Sequence, residues 1–292
     1  MIQPLHRAII GTIRRLPLPA ARFAFRVYNK ALRTLKPEHL ATTYFGARIH
    51  CNPLDLIQRM ILHFGVWEPD VSWVIEQNLA PGDVFVDIGA NIGYDTLLAS
   101  SRVGSAGRVV AIEASPRTFA LMKRNLAANT FSSNVRAVNA AVSDLPGTLD
   151  LYEVNAANIG AATTLASRGG TLIASVEALP LEQILTPDER SRLRLIKMDV
   201  EGAEPPILRH LLERLSTYPA TLDIVVEATP DDDPVAWRDV FDRMRAAGFT
   251  ARAIENDYEL EWYLRWRRPA ALQRVDTMPC RQQDLLFTRR PV

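Results

Sequence analysis

Val84-Phe-Val-Asp-Ile-Gly-Ala-Asn-Ile-Gly93 opens as a short apolar, β-branched run, meets an acid at Asp87 and then turns through Gly89 and Gly93. Such a run reads as a buried strand over 84–88 that leads through a tight loop into a helix near 91–101. Glycines let the backbone turn sharply and approach a ligand closely, and unpaired N–H groups at a helix start favour a carboxylate or phosphate. Outward from this point, short apolar runs alternate with helical stretches. Strands are expected at 109–113, 135–142, 195–199, 222–227, 250–255 and 284–288, with helices near 116–129, 204–216 and 234–247. That rhythm predicts an α/β fold with a mostly parallel sheet covered by crossover helices. Residues 147–180 break it with two strand-like runs, Leu149–Tyr152 and Ile173–Val176, around a Gly/Ala/Thr-rich loop, an insertion placed to shape the substrate side.

In such sheets ligands bind at the carboxyl edge, so the residues ending the strands carry the chemistry. Gly89 and Gly93 form a G-x-x-x-G pair, not the G-x-G-x-x-G of dinucleotide sites, and a carboxylate at Asp87 would repel pyrophosphate. Asp87 favours, directly or through water, the ammonium of a methionine moiety. Glu113, 24 residues after Gly89, stands where an acid can accept both hydroxyls of an adenosine ribose. Ser143-Asp144 would place a polar pair near an adenine amino group. Ile196-Lys-Met-Asp-Val-Glu-Gly-Ala-Glu204 brings Asp199 and Glu201 to the same crevice, while Glu204 reads as an acid suited to a helix start.

These segments together are specific. Val86-Asp-Ile-Gly-Ala-Asn-Ile-Gly93, Ala111-Ile-Glu-Ala-Ser-Pro116, Asn139-Ala-Ala-Val-Ser-Asp144 and Ile196–Glu204 resemble, in order and spacing, the motifs of the FkbM family of S-adenosylmethionine-dependent methyltransferases. The resemblance spans about residues 44–290. It implies a Rossmann-like seven-stranded methyltransferase sheet, mostly parallel with an antiparallel last strand. It also implies S-adenosylmethionine held by Asp87, Gly89, Ala90, Asn91, Gly93, Glu113, Ser143 and Asp144, and methyl transfer to a hydroxyl of a sugar, glycan or secondary metabolite. Glu68, in Gly65-Val-Trp-Glu-Pro69, resembles an acidic position that precedes the first motif in the family. Asp95 departs from the pattern, which more often has an aromatic residue there.

For transfer to a hydroxyl, Glu201 is the expected general base, with Asp199 orienting the acceptor or the methionine group. Glu227 at the end of the 222–227 strand could join Asp199 around a magnesium ion, but two oxygen ligands do not define a metal site and none is assigned. His63 is the next candidate base. Trp262 and Trp266, four apart in Glu261–Arg268, would share a helical face able to stack on a sugar ring or to pack. The competing readings are an inactive cofactor-binding regulator or scaffold and a dinucleotide oxidoreductase.

Composition separates the N-terminal segment from the rest. The 292 residues are 48% hydrophobic with a net charge of +1, yet residues 1–37 hold eight Lys/Arg and no acid, leaving 26 basic against 33 acidic residues elsewhere. The expected division is therefore a basic amphipathic helical extension at 1–43 and a catalytic domain at 44–292. The acidic remainder argues against nucleic acid as partner, while residues 1–37 suit contact with an anionic membrane. Only two cysteines occur, and no apolar run reaches the roughly 20 residues of a membrane span, so the expected place is the cytoplasm, peripheral to the inner face of a membrane.

Overall fold

A computed structural model describes residues 2–35, 38–153, 162–163, 170–269 and 271–290. The chain begins with helices α1 (Ile2–Arg15) and α2 (Leu18–Leu35), separated at Pro17, which has no amide to continue α1. Strands β1 (His39–Thr42) and β2 (Arg48–Cys51) then pair as an antiparallel hairpin across residues 43–47. Helix α3 (Leu56–Phe64) starts where the Asp55 carboxylate accepts the Gln58 amide at 2.9 Å and stops at Gly65, φ 70°. Helix α4 (Pro69–Asn78) leads into the main sheet.

That sheet begins with β3 (Val84–Ile88), α5 (Tyr94–Val103), β4 (Arg108–Ile112), α6 (Pro116–Ala127) and β5 (Val135–Val138). The chain then leaves for a second sheet made of β6 (Ala141–Val142), β7 (Gly147–Glu153), β8 (Ala162–Thr163) and β9 (Thr171–Leu179). The single strand expected at 135–142 is thus two strands in different sheets. Asn139 makes the break: its side-chain amide donates to the Glu113 and Ala114 carbonyls at 2.8 and 3.0 Å, turning the chain off the β5 line. Both strand-like runs of the insertion pair, as β7 and β9, whereas most of the loop expected between them, 154–161 and 164–169, lies outside the described residues.

After the short helices α7 (Leu181–Ile184) and α8 (Pro187–Ser191) the chain returns through β10 (Leu193–Met198), α9 (Glu204–Glu213), β11 (Asp223–Ala228) and α10 (Pro234–Ala246). It ends with β12 (Thr250–Ile254), α11 (Leu260–Arg265), β13 (Gln273–Val275) and β14 (Gln283–Thr288). The main sheet has the order β13-β12-β14-β11-β10-β3-β4-β5. All seven expected strands are present, parallel from β11 through β5, with the last strand β14 antiparallel to both neighbours. The unexpected β13 adds an eighth at the edge.

Strand alternation divides the core. Val84, Val86 and Ile88 face Leu208 and Phe241 of α9 and α10, while Phe85 faces Val71, Ile75 and Leu98 of α4 and α5. Because both faces are covered, β3 is apolar at nearly every position and fully buried, which is why its sequence runs continuously instead of alternating. Asp87 is the polar exception. The carboxyl ends of β4, β3, β10 and β11 stand side by side at one edge, and the site forms there.

Candidate active site

A cavity of about 260 Å³ opens at this edge, walled by the loop after β3, the end of β4, the turn after β10 and Tyr258 and Gln282 near the C-terminus. Gly89, Ala90, Asn91, Glu113, Asp199, Glu201 and Glu68 all line it. Asp87 lies buried just behind, and Gly93 is the N-cap of α5, outside the lining. The structure does not bring Ser143 and Asp144 in. The chain has already entered the second sheet, Ser143 donates its hydroxyl to the Leu145 carbonyl at 2.6 Å, and Asp144 is exposed; Ala140, Ala141 and Val142 form the wall instead.

The loop is shaped by close contact. Gly89 has φ 79°, and a Cβ there would overlap the Asp199 carbonyl oxygen, so only glycine lets β3 and β10 meet at this point. Its amides are not the anion cradle the sequence suggests. Gly89 and Ala90 both donate to Ile112 O, Asn91 to Glu113 Oε2, Ile92 to Asn91 Oδ1 and Gly93 to Ala90 O, all within 3.0 Å. Helix α5 starts three residues later than expected, at Tyr94, because Asn91 and Gly93 are left-handed at φ 50° and 86°. Backbone strain is concentrated here. Among the described residues the non-glycine positions with positive φ are Glu68, Asn91 and Glu201, and all three line the cavity.

Electrostatically the cavity is acidic. Glu68, Asp95, Glu113, Asp199, Glu201 and Glu227 line it against one ammonium, Lys197, which sits 3.2 Å from Asp199 and 3.4 Å from Asp95. Lys197 is buried, yet Asp199, Asp95, Asp87 and Glu68 around it hold its pKa well above the ordinary value against that burial. Asp87 accepts from Thr96 at 2.5 Å through Oδ2, while its buried Oδ1 has no hydrogen-bond partner; burial raises its carboxyl to about 7. Burial likewise pushes Glu113 up to about 7, against the Ser115 and Asn91 amides that favour its charged form. Glu227 is pushed up to about 10 by burial first and then by Asp199, Asp284, Glu68 and Glu201. Tyr258 donates to Glu68 at 3.0 Å and stacks on Trp67. Glu204 begins α9 as expected, but it is fully buried and folds back to accept the Val200 amide at 2.9 Å, bracing the turn that carries Glu201.

Two candidates from the sequence lie elsewhere. His63 is packed among His6, Phe25 and Phe64 beneath α1 and α2, outside this cavity, and burial with nearby His6, Arg59 and His39 pushes its pKa to about 3. It is removed as a base. Trp266 falls just past α11, so it does not share a helical face with Trp262; its indole donates to Asp70 at 2.6 Å, tying the C-terminal segment to α4. Among the described residues no group of three or more His, Cys, Asp or Glu side chains is placed to hold a metal ion, and Glu227 accepts from Gln282.

Sequence reasoning missed Lys197, Asp95 as a wall residue, Tyr258 and Gln282. Lys197 was within reach, since it shares Asp199's strand parity and stands in register with Asp87 on β3. Tyr258 and Gln282 come from connections whose path has no local signal.

The family model described as Methyltransferase FkbM domain matches residues 87–251. Methyltransferase sdnD of Sordaria araneosa is 31% identical over 160 residues, covering 45% of this chain and 61% of that protein. An arsenite methyltransferase of Halobacterium salinarum is 31% identical over 68 residues, 23% of this chain and 17% of that one. The chain thus spans less than two thirds of either relative. Among solved structures, a SAM-dependent O-methyltransferase of Thermotoga maritima aligns at TM-score 0.44 and 15% identity, covering 91% of this chain and 81% of that one. Aeropyrum pernix fibrillarin with natively bound S-adenosyl-L-methionine aligns at 0.40 and 9%, over 75% and 73%.

Proposed function

The chain belongs to the FkbM methyltransferase family, and from that premise we propose that it methylates a hydroxyl of a neutral, polyhydroxylated acceptor such as a sugar, a glycan or a secondary metabolite. Its cofactor is S-adenosylmethionine, and the residues present fit it. The orphaned carboxylate oxygen of Asp87 and the acids around Lys197 suit a ligand with sulfonium and ammonium charges. The same acids would repel a pyrophosphate, which removes the support for a dinucleotide oxidoreductase. Glu113 would accept the ribose hydroxyls, and Ile112, Ala141 and Val142 offer an apolar wall to the base.

When bound, S-adenosylmethionine supplies an electrophilic methyl carbon on a good leaving group. The chain's residues then have two tasks: holding the acceptor in line and taking its proton. Glu201, on its strained turn at the cavity wall, would take the proton of the acceptor hydroxyl as that oxygen is methylated. Asp199, fixed by Lys197, orients the acceptor. An adjoining cavity of about 420 Å³ shares Tyr258 and Gln282 with the first and is lined by Glu255, Asn256, Trp262 and Asp284. Amides, carboxyls and an indole suit hydroxyl groups, and among the described residues this lining holds no Lys or Arg to receive a phosphate or carboxylate. The free cysteines Cys51 and Cys280 fit a reducing, cytoplasmic setting.

The observation that carries this reading is the convergence of the three left-handed residues Glu68, Asn91 and Glu201 on one acidic cavity. Such strain persists where function requires it, which also favours an enzyme over an inactive scaffold. The test is transfer of labelled methyl from S-adenosylmethionine to a panel of neutral and anionic hydroxylated compounds. An O-methyl ether on a neutral member is expected, with Glu201→Gln lowering turnover by roughly 10²–10⁴ while cofactor affinity holds. Label found on nitrogen, sulfur or an anionic acceptor, or full turnover in the variant, would overturn it.

A further inference from the structure

Helix α2 packs on the body through Ala21 and Phe25, which meet Ile10 and Ile13 of α1 and Leu264, and Leu32 on the same side is buried as well. Its opposite side holds Phe23, 69% exposed, and Val27, 55% exposed, four residues apart on one stripe. Exposed Arg26, Lys30 and Arg33 flank that stripe, and exposed Leu16 and Arg15 stand at the corner between the helices. Two other arginines, though exposed, reach back to the body. Arg14 donates to the Tyr263 carbonyl at 3.3 Å and lies over the Phe64 ring, and Arg22 pairs with Glu261, so the helices are fixed to the body with this side outward.

We propose that this face of α1 and α2 docks on the surface of an anionic lipid bilayer. Phe23 and Val27 would enter the boundary between headgroups and acyl chains, and Arg15, Arg26, Lys30 and Arg33 would meet lipid phosphates. Charge complementarity selects this occupant. Residues 1–37 contain no acid, while the rest of the chain carries more acids than bases and is repelled by the same surface, so attraction centres on a face that combines this basic charge with exposed Phe23 and Val27. No described helix is long and apolar enough to cross a membrane, so the helices would lie in the interface. The inference stands on these two helices and not on the methyl-transfer reading.

Flotation of the full chain with phosphatidylcholine vesicles, with and without phosphatidylglycerol, tests it. Recovery is expected only with the anionic vesicles and should fall steeply with salt. The double variants F23S/V27S and R26E/K30E, checked for unchanged circular dichroism and melting, should each lose at least about tenfold in vesicle affinity. Three outcomes would overturn the proposal: wild-type protein that stays with the buffer, variants that float as well as wild type, or equal recovery on neutral vesicles. Sedimentation is run in parallel, and a dimer that Phe23→Ser dissociates would assign the face to a second copy of the chain instead.

Discussion

Glu113 holds the cavity's loop in shape as well as lining the cavity, a part the sequence alone does not show. Both oxygens accept backbone amides, Asn91 at 2.8 Å and Ser115 at 2.9 Å, so the side chain holds the left-handed Asn91 in place and starts the connection to α6 before any ligand arrives. The side chain also lines the cavity, and each carboxylate oxygen has a lone pair left to accept a further hydrogen bond. Glu113→Ala should therefore remove ribose hydrogen bonds and release the loop together. With hydrogen bonds to a charged group contributing roughly 1.5–3 kcal/mol each, S-adenosylmethionine affinity should fall at least about tenfold. Titration calorimetry on folded variant protein measures it, and unchanged affinity would remove Glu113 from the site.

Among the elements, the loop between β3 and α5 depends on the neighbouring strand. Gly89 and Gly93 look equivalent in a G-x-x-x-G spacing, and both have positive φ, where an L side chain costs about 1–2 kcal/mol. Their surroundings separate them. A Cβ at Gly93 comes within 2.9 Å of Met122 Cγ, on a flexible side chain that can move, whereas at Gly89 it meets the backbone of Asp199. Gly89→Ala should push β3 and β10 apart and lower the melting temperature well beyond the change for Gly93→Ala. Equal melting shifts for the two variants would show that the strands separate easily here. This contrast also shows what the sequence could convey. Strand positions, the acids at strand ends and the need for glycine follow from patterns within a few residues, so the gathering of Gly89, Glu113, Asp199 and Glu201 at one sheet edge was legible. Ser143-Asp144 failed because Asn139 redirects the chain through bonds to Glu113 and Ala114, more than twenty residues away. Trp266 left its helical face for a bond to Asp70, nearly two hundred residues distant. No local periodicity encodes either partner.

Over the whole molecule, the buried acids in and around the cavity are a cost to the ligand-free fold. Burial raises Asp87, Glu113, Glu204 and Asp284 to about 7 and Glu227 to about 10, with neighbouring carboxyls adding to the effect. Carboxyls in an unfolded chain titrate near 4, so above that pH the folded state holds protons that the unfolded state has lost. Stability from these groups is complete below about pH 4 and is lost as pH rises through their folded pKa values. His63 works in the other direction: held near 3 when folded, it lets the unfolded chain gain a proton below about pH 6.5, which lowers stability on the acid side. One histidine opposes five carboxyls, so the ligand-free protein should melt at a lower temperature near pH 8 than near pH 5. A bound sulfonium and ammonium would favour the ionised carboxyls, so S-adenosylmethionine should release protons on binding near neutral pH and raise the melting temperature more at pH 8 than at pH 5. Calorimetry in buffers of different ionisation enthalpy reads the protons directly. Binding that moves none, with a melting increment independent of pH, would mean that the acids around Lys197 are already ionised in the empty cavity and that the cofactor's charge is met without any change in their protonation.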